Sequence, residues 1–145
     1  MSLQLKSFLP YRLVRLATLV SSEFAKVYAE EAGLSVAQWR VLAHLAENPH
    51  SSAKQLCDLA LMDKSTVSRA VKQMVDEGYV VTEINSEDKR AALLSLSTTG
   101  TAMYQRLSPK ALEWEETFLA SLGAGERDQL MGMLANLESK IGKSI

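Results

Sequence analysis

The sequence has 145 residues, 47% hydrophobic and 23% charged with a net charge of −1, which allows a buried core and excludes a disordered polyelectrolyte. Seven glycines and three prolines are too few for a sandwich with many tight turns, so helices should dominate. The near-neutral balance excludes wrapping nucleic acid over the whole surface, and any such function needs locally clustered charge.

From about Pro10 to Glu31, Leu13, Leu16, Val20, Phe24 and Val27 recur at gaps of three and four. That is one stripe on a helix of about six turns, which Gly33 ends as a left-handed cap. Ser35 with Gln38 forms a capping box, and Leu34 with Trp39 occupies the two positions of a hydrophobic staple. The helix they open runs through Val41, Leu42 and Leu45 until Asn48-Pro49 stops it. A second capping box, Ser52 with Gln55, opens a short helix carrying Leu56 and Leu59. After the brief Leu61-Met62 connection, Asp63 is placed to cap a helix reaching Glu77, with Gly78 as its stop.

The period then changes. Tyr79 to Ile84 reads as a strand, Asn85 to Arg90 as a polar turn and Ala91 to Leu96 as a second strand, together a two-stranded hairpin. Ser97 is placed to cap a long helix from Thr98 to about Ala120, which Pro109 should kink or break. A last helix from about Ala124 to Ile141 carries Leu130, Leu134, Leu137 and Ile141 on one stripe. The expected fold is mainly α with a small β-hairpin, in one domain over 1–145: a winged helix-turn-helix core at about 35–97 flanked by N- and C-terminal helices at about 8–32 and 98–145, whose apolar stripes should be covered by a second copy.

Two short helices joined by a tight turn and followed by a hairpin are the layout of a winged helix-turn-helix. On the second of these helices, Val67, Ala70, Val71 and Met74 share one side, and Ser65, Ser68, Arg69, Lys72 and Gln73 the other. Between Lys64 and Val75 there are three basic residues and no acid, in a chain that is slightly acidic overall. Taken alone this is an ordinary solvated amphipathic face; between that turn and that hairpin it is a positive face fit for a major groove. The wing tip, Asn85 to Arg90, carries a guanidinium suited to the minor groove. Asp88 is placed to hold the Arg90 side chain by a charge-assisted hydrogen bond. Expected DNA-binding residues are Lys64, Ser65, Thr66, Ser68, Arg69, Lys72, Gln73, Asp88, Lys89 and Arg90.

The stretch from Leu34 to Gly100 resembles the MarR family of bacterial transcriptional regulators. The resemblance rests on Leu34-Ser35 through Gln38-Trp39-Arg40-Val41-Leu42, on Lys64-Ser65-Thr66-Val67-Ser68-Arg69, and on Glu77-Gly78-Tyr79-Val80. Most specific is Asp88-Lys89-Arg90 followed by Leu94-Ser95-Leu96-Ser97 and Gly100, similar to the family's D-x-R wing and the L-T-x-x-G after it. Thr82 departs from the arginine that many members carry in the wing strand, and Ser97 from the usual threonine. The resemblance implies a homodimer with intertwined terminal helices that reads a palindromic double-stranded DNA operator, usually as a repressor. It also implies release by a small aromatic or phenolic effector.

Tyr11, Arg12, Arg15 and Trp39 are the residues that could hold such an aromatic anion, with core and dimer packing as their other role. The single cysteine, Cys57, has no cation beside it in sequence, and reads as a small core residue of a cytoplasmic protein rather than a redox switch. His44 and His50 read as surface residues, and with Cys57 they match no zinc spacing, so no metal and no cofactor are expected. No run approaches the ~18–20 apolar residues of a membrane helix, and Arg12 and Arg15 interrupt any signal-peptide core, so no membrane partner is expected. No nucleophile set or phosphate loop points to an enzyme. The competing function is a winged-helix module that binds a partner protein through the same helix face.

Overall fold

The computed structural model describes residues 1–88 and 90–142. After a short 3-10 turn at Leu5–Ser7, helix α1 spans Leu9–Ala32, with Pro10 in its first turn and Gly33 closing it at φ 66. Helix α2, Val36–Glu47, opens on a complete capping box: the Gln38 N–H donates to Ser35 Oγ, and the Ser35 N–H to the Gln38 side-chain oxygen. Helix α3, Ala53–Ala60, opens on the equivalent Ser52–Gln55 box. The turn from α3 into α4, Lys64–Asp76, passes through Leu61 at φ 52, so a leucine takes the left-handed position that glycine would hold without strain. Asp63 sits at the N-cap of α4, but its side chain does not cap the helix backbone; its carboxylate accepts from the Ser65 hydroxyl at 2.8 Å.

The expected hairpin is part of a three-stranded antiparallel sheet. Strand β1, Ser51–Ser52, pairs with β3, Ala92–Leu96, which lies between it and β2, Val80–Ile84. The register sets Ser51 opposite Leu94 on one side of β3 and Thr82 opposite Leu94 on the other. A two-residue strand has no periodicity of its own to read; it exists because β3 offers it a partner. Helix α5, Thr98–Phe118, then runs through Pro109, so of the two expected outcomes, a kink or a break, the break does not occur. Helix α6 spans Ala124–Ile141 and is tied to α5 by an Arg127–Glu116 ion pair at 2.9 Å.

The core joins α2 to the winged helix. Val41, Leu42 and Leu45 of α2 pack with Leu56 of α3, Val67, Ala70 and Met74 of α4, Val80 and Leu94 of the sheet, and Met103 and Leu107 of α5. Beside it lies an aromatic cluster joining α1, α2 and α5. Tyr28 stacks on Trp39 at 5.3 Å, Phe24 meets both edge-on, and Trp39 stacks on Tyr104 at 6.3 Å. Burial raises the Tyr28 phenol above its ordinary pKa, partly offset by the nearby Arg40 guanidinium. Among the described residues, every buried side-chain polar atom has a hydrogen-bond partner.

Candidate nucleic-acid interface

The burial of α4 fixes what it presents. Val67, Ala70 and Met74 are buried, and at 100° per residue this leaves Ser65, Ser68, Arg69 and Lys72 on the opposite side, all exposed. Lys64 is exposed at the first turn, and Thr66 is half-buried beside it. The Arg69 Nε donates to the Ser65 carbonyl at 3.3 Å, which lays the guanidinium stem along the helix. Gln73 is also exposed, but its amide oxygen accepts from the buried Gln38 at 3.3 Å, so part of its bonding capacity is turned back onto α2. The Thr66 and Ser65 hydroxyls hold the Asp63 carboxyl below its ordinary pKa.

Facing α4 across an open cleft of about 1050 Å³ is the wing. Lys54 of α3, Ser68 and Lys72 of α4, Thr82 of β2 and Arg90 of the tip line it. The tip is folded by its own side chains: Asn85 Oδ1 accepts the Glu87 N–H at 2.9 Å, and Asp88 Oδ1 accepts the Arg90 N–H at 3.0 Å. This differs from the expected Asp88 contact. The carboxylate binds the Arg90 backbone, and its distance to Arg90 Nε is 4.0 Å, too long for a hydrogen bond. The Arg90 side chain is left 98% exposed. Lys89 lies outside the described residues.

Lys54 is absent from the residues expected on sequence grounds. Its signal is present in the Ser52–Gln55 box, which puts Lys54 in the first turn of α3. Of the two histidines expected at the surface, His50 is exposed, where it bonds to Ser95 and Glu83, whereas His44 is half-buried. Cys57 is half-buried against the core.

The four candidate ligand residues do not come together. Tyr11, Arg12 and Arg15 line a shallow groove of about 860 Å³ along the first half of α1, with Lys6, Leu9 and Leu16. Trp39 packs in the aromatic cluster around Phe24, roughly 20 Å further along the helix from Tyr11 at 1.5 Å per residue. Among the described residues there is no group of three or more His, Cys, Asp or Glu side chains placed to hold a metal ion. Among them, too, no helix is long and apolar enough to cross a membrane.

A family model described as the MarR family matches residues 32–91. The crystal structure of a MarR/EmrR family transcriptional regulator from Acinetobacter sp. ADP1 superposes with a TM-score of 0.85 at 26% identity, covering 98% of this chain and 100% of that one. The segment from the end of α1 to the wing tip thus matches the MarR family in sequence, and the fold of nearly the whole chain matches MarR-family regulators. Among curated relatives, the HTH-type transcriptional regulator BilQ of Clostridium symbiosum is 25% identical over 121 residues, 83% of this chain and 81% of that protein. The HTH-type transcriptional repressor IacR of Pseudomonas putida is 29% identical over 101 residues, 70% of this chain and 60% of that one. The protein is a MarR-type transcriptional regulator with a DNA-binding helix-turn-helix, and MarR proteins are regulators, not enzymes.

Proposed function

We propose that this protein is a cytoplasmic repressor that binds a palindromic operator as a homodimer and is released by a small aromatic or phenolic anion. The observation that carries the reading is the exposed face of α4. Lys64, Arg69 and Lys72 stand on it without an acid between Lys64 and Val75, beside a wing whose Arg90 is 98% exposed. Residues 35–97 read the DNA: Lys64, Ser65, Thr66, Ser68, Arg69 and Lys72 enter the major groove, with Gln73 at the margin. Asp88 shapes the tip, and Lys89 and Arg90 serve the minor groove. Residues 8–32 and 98–145 form the dimerisation part. A dimer seated on a promoter blocks polymerase, which makes repression the expected output, as in the name of the IacR relative.

For the effector, Tyr11 offers a ring and Arg12 and Arg15 a fork for a carboxylate, in a groove flanked by leucines. A ligand wedged there, between terminal helices of two subunits, would alter the separation of the two recognition helices and so weaken operator binding.

The test is a titration of the protein against the duplex flanking its own gene, at two salt concentrations. Tight binding that falls steeply with salt, with symmetric protection of two half-sites, is the expected result. Affinity for duplex that does not respond to salt would overturn DNA recognition and favour a protein partner for the same face.

A further inference from the structure

His50 carries two features that the DNA-contacting residues leave unexplained. Its backbone is left-handed at φ 60, a conformation that side chains rarely adopt. Its side chain reaches across the sheet. The pairing of Ser51 with Leu94 continues to set His50 beside Ser95, and the His50 N–H donates to Ser95 Oγ at 3.0 Å. The ring Nδ1 lies 3.3 Å from the same hydroxyl and meets the Glu83 carboxylate of β2. The outer strands of a three-stranded sheet lie about 10 Å apart, so this contact requires both long side chains to lean over the middle strand. It sits on the outer face of the sheet, since Val80 and Leu94 take the core face. Strand β1 holds the wing by only two paired residues, Ser51 and Ser52, and the His50–Ser95–Glu83 brace extends that hold to β2.

We infer that His50 is a positioning residue for the wing, and that its protonated ring tightens the brace, so that operator affinity rises as pH falls. The inference rests on the DNA-binding reading above. With the proton, the contact to Glu83 is a charge-assisted pair with no net charge. Without it, the hydrogen bond weakens and the pair carries a negative charge on a wing that must approach phosphates. Both effects have the same sign. Strands β1 and β3 carry no charged side chain. The other charged groups around the cleft that His50 borders are Lys54 of α3, Lys72 of α4, and Glu87, Asp88 and Arg90 of the tip.

The experiment compares the full chain with His50→Asn and Glu83→Gln, measuring affinity for the protected duplex at pH 5.8 and 7.8 and constant ionic strength. Asparagine tolerates the left-handed backbone, so His50→Asn removes the ring and spares the loop. His44 stays in every variant and cancels. The wild type is expected to bind about fivefold tighter at the lower pH, the upper size for an exposed pair, and both variants to bind alike at the two pH values. Variants that keep the wild-type ratio, or a wild type with none, overturn the brace. In the free protein, exchange of the β2 amides, corrected for intrinsic rate, should be slower at pH 5.8 in the wild type alone. Equal protection in all three proteins also overturns the brace. Absence of salt-sensitive duplex binding in the wild type, with the exchange pattern intact, overturns the DNA reading and leaves the brace standing.

Discussion

At Gly100 an added methyl group has nowhere to go. A Cβ there would lie 2.1 Å from the Tyr79 carbonyl oxygen, a backbone atom that also accepts the Ser97 N–H at 3.0 Å. Ser97 Oγ donates to the Gly78 carbonyl at 2.6 Å and accepts the Gly100 N–H at 3.0 Å, so the start of α5 is fastened to the turn that follows α4. The glycine of the sequence signature is therefore a requirement of close packing. Gly100→Ala is expected to destabilise by about 2–3 kcal/mol, since backbone on both sides must shift. The measurement is urea unfolding, where the midpoint falls and the slope is unchanged; a wild-type midpoint would contradict the packing. Asp63 acts through charge instead. Thr66 and Ser65 lower its pKa in the folded state, so its contribution is present at neutral pH and is lost as pH falls through the folded value. Asp63→Asn should flatten stability on the acid side while leaving the fold at pH 7 intact, as read by thermal unfolding at pH 3 and 7.

At the scale of the element, α4 and the wing are expected to read different properties of DNA. Arg69 stands one turn into α4 on the exposed face, within reach of a base edge. Arg69→Ala should cost roughly 1–3 kcal/mol on the operator and relax preference at one base position per half-site. Arg90 at the wing tip is expected to meet groove width and potential, so Arg90→Ala should weaken binding more uniformly across sequences with the same flanking shape. It should also lower the salt slope by about one unit for each phosphate that the guanidinium neutralises in the wild type. Full operator affinity in both folded variants would mean the reading face is misplaced. These elements were legible in the sequence because each boundary had a local cause: Ser35 with Gln38, Ser52 with Gln55, and the glycines after α1 and α4. What was illegible depends on distant partners. Strand β1 needs β3, Gln73 is turned by Gln38 across 35 residues, and Trp39 is claimed by Phe24, Tyr28 and Tyr104 rather than by Tyr11. Pro109 allowed a kink or a break in sequence, and α5 continues on both sides of it, with the buried Met103 and Leu107 before it and the Trp114–Phe118 stack after it.

At the scale of the whole molecule, one chain leaves much apolar surface open. None of the α6 residues is buried, and Met131 and Met133 are 50% and 58% exposed. The first half of α1 is as bare, with Leu16 at 56% and Leu19 at 50% exposure. The stripe expected from sequence divides here: Phe24 packs against the core and Val27 is half-buried, while Leu13 and Leu16 remain open. Two long helices with apolar faces turned to water are unfavourable in a monomer, at about 25 cal/mol per Å² of apolar surface. A two-fold partner is expected to cover both at once, with a buried area of about 2,000 Å² or more. Folding of the winged helix is expected not to depend on that contact, because its core, from Tyr28 of α1 to Leu107 of α5, is already buried within one chain. Leu16→Glu with Leu134→Glu is therefore expected to give a folded monomer, seen by light scattering at micromolar concentration with the helical circular dichroism of the shared core retained. The wild type should weigh two chains. The same pair should abolish tight binding to an inverted repeat whose half-sites lie about 10–10.5 base pairs apart, because one winged helix alone engages a single half-site. A wild type that weighs one chain would overturn the dimer, and a monomeric double variant with undiminished operator affinity would overturn two-fold reading of the site.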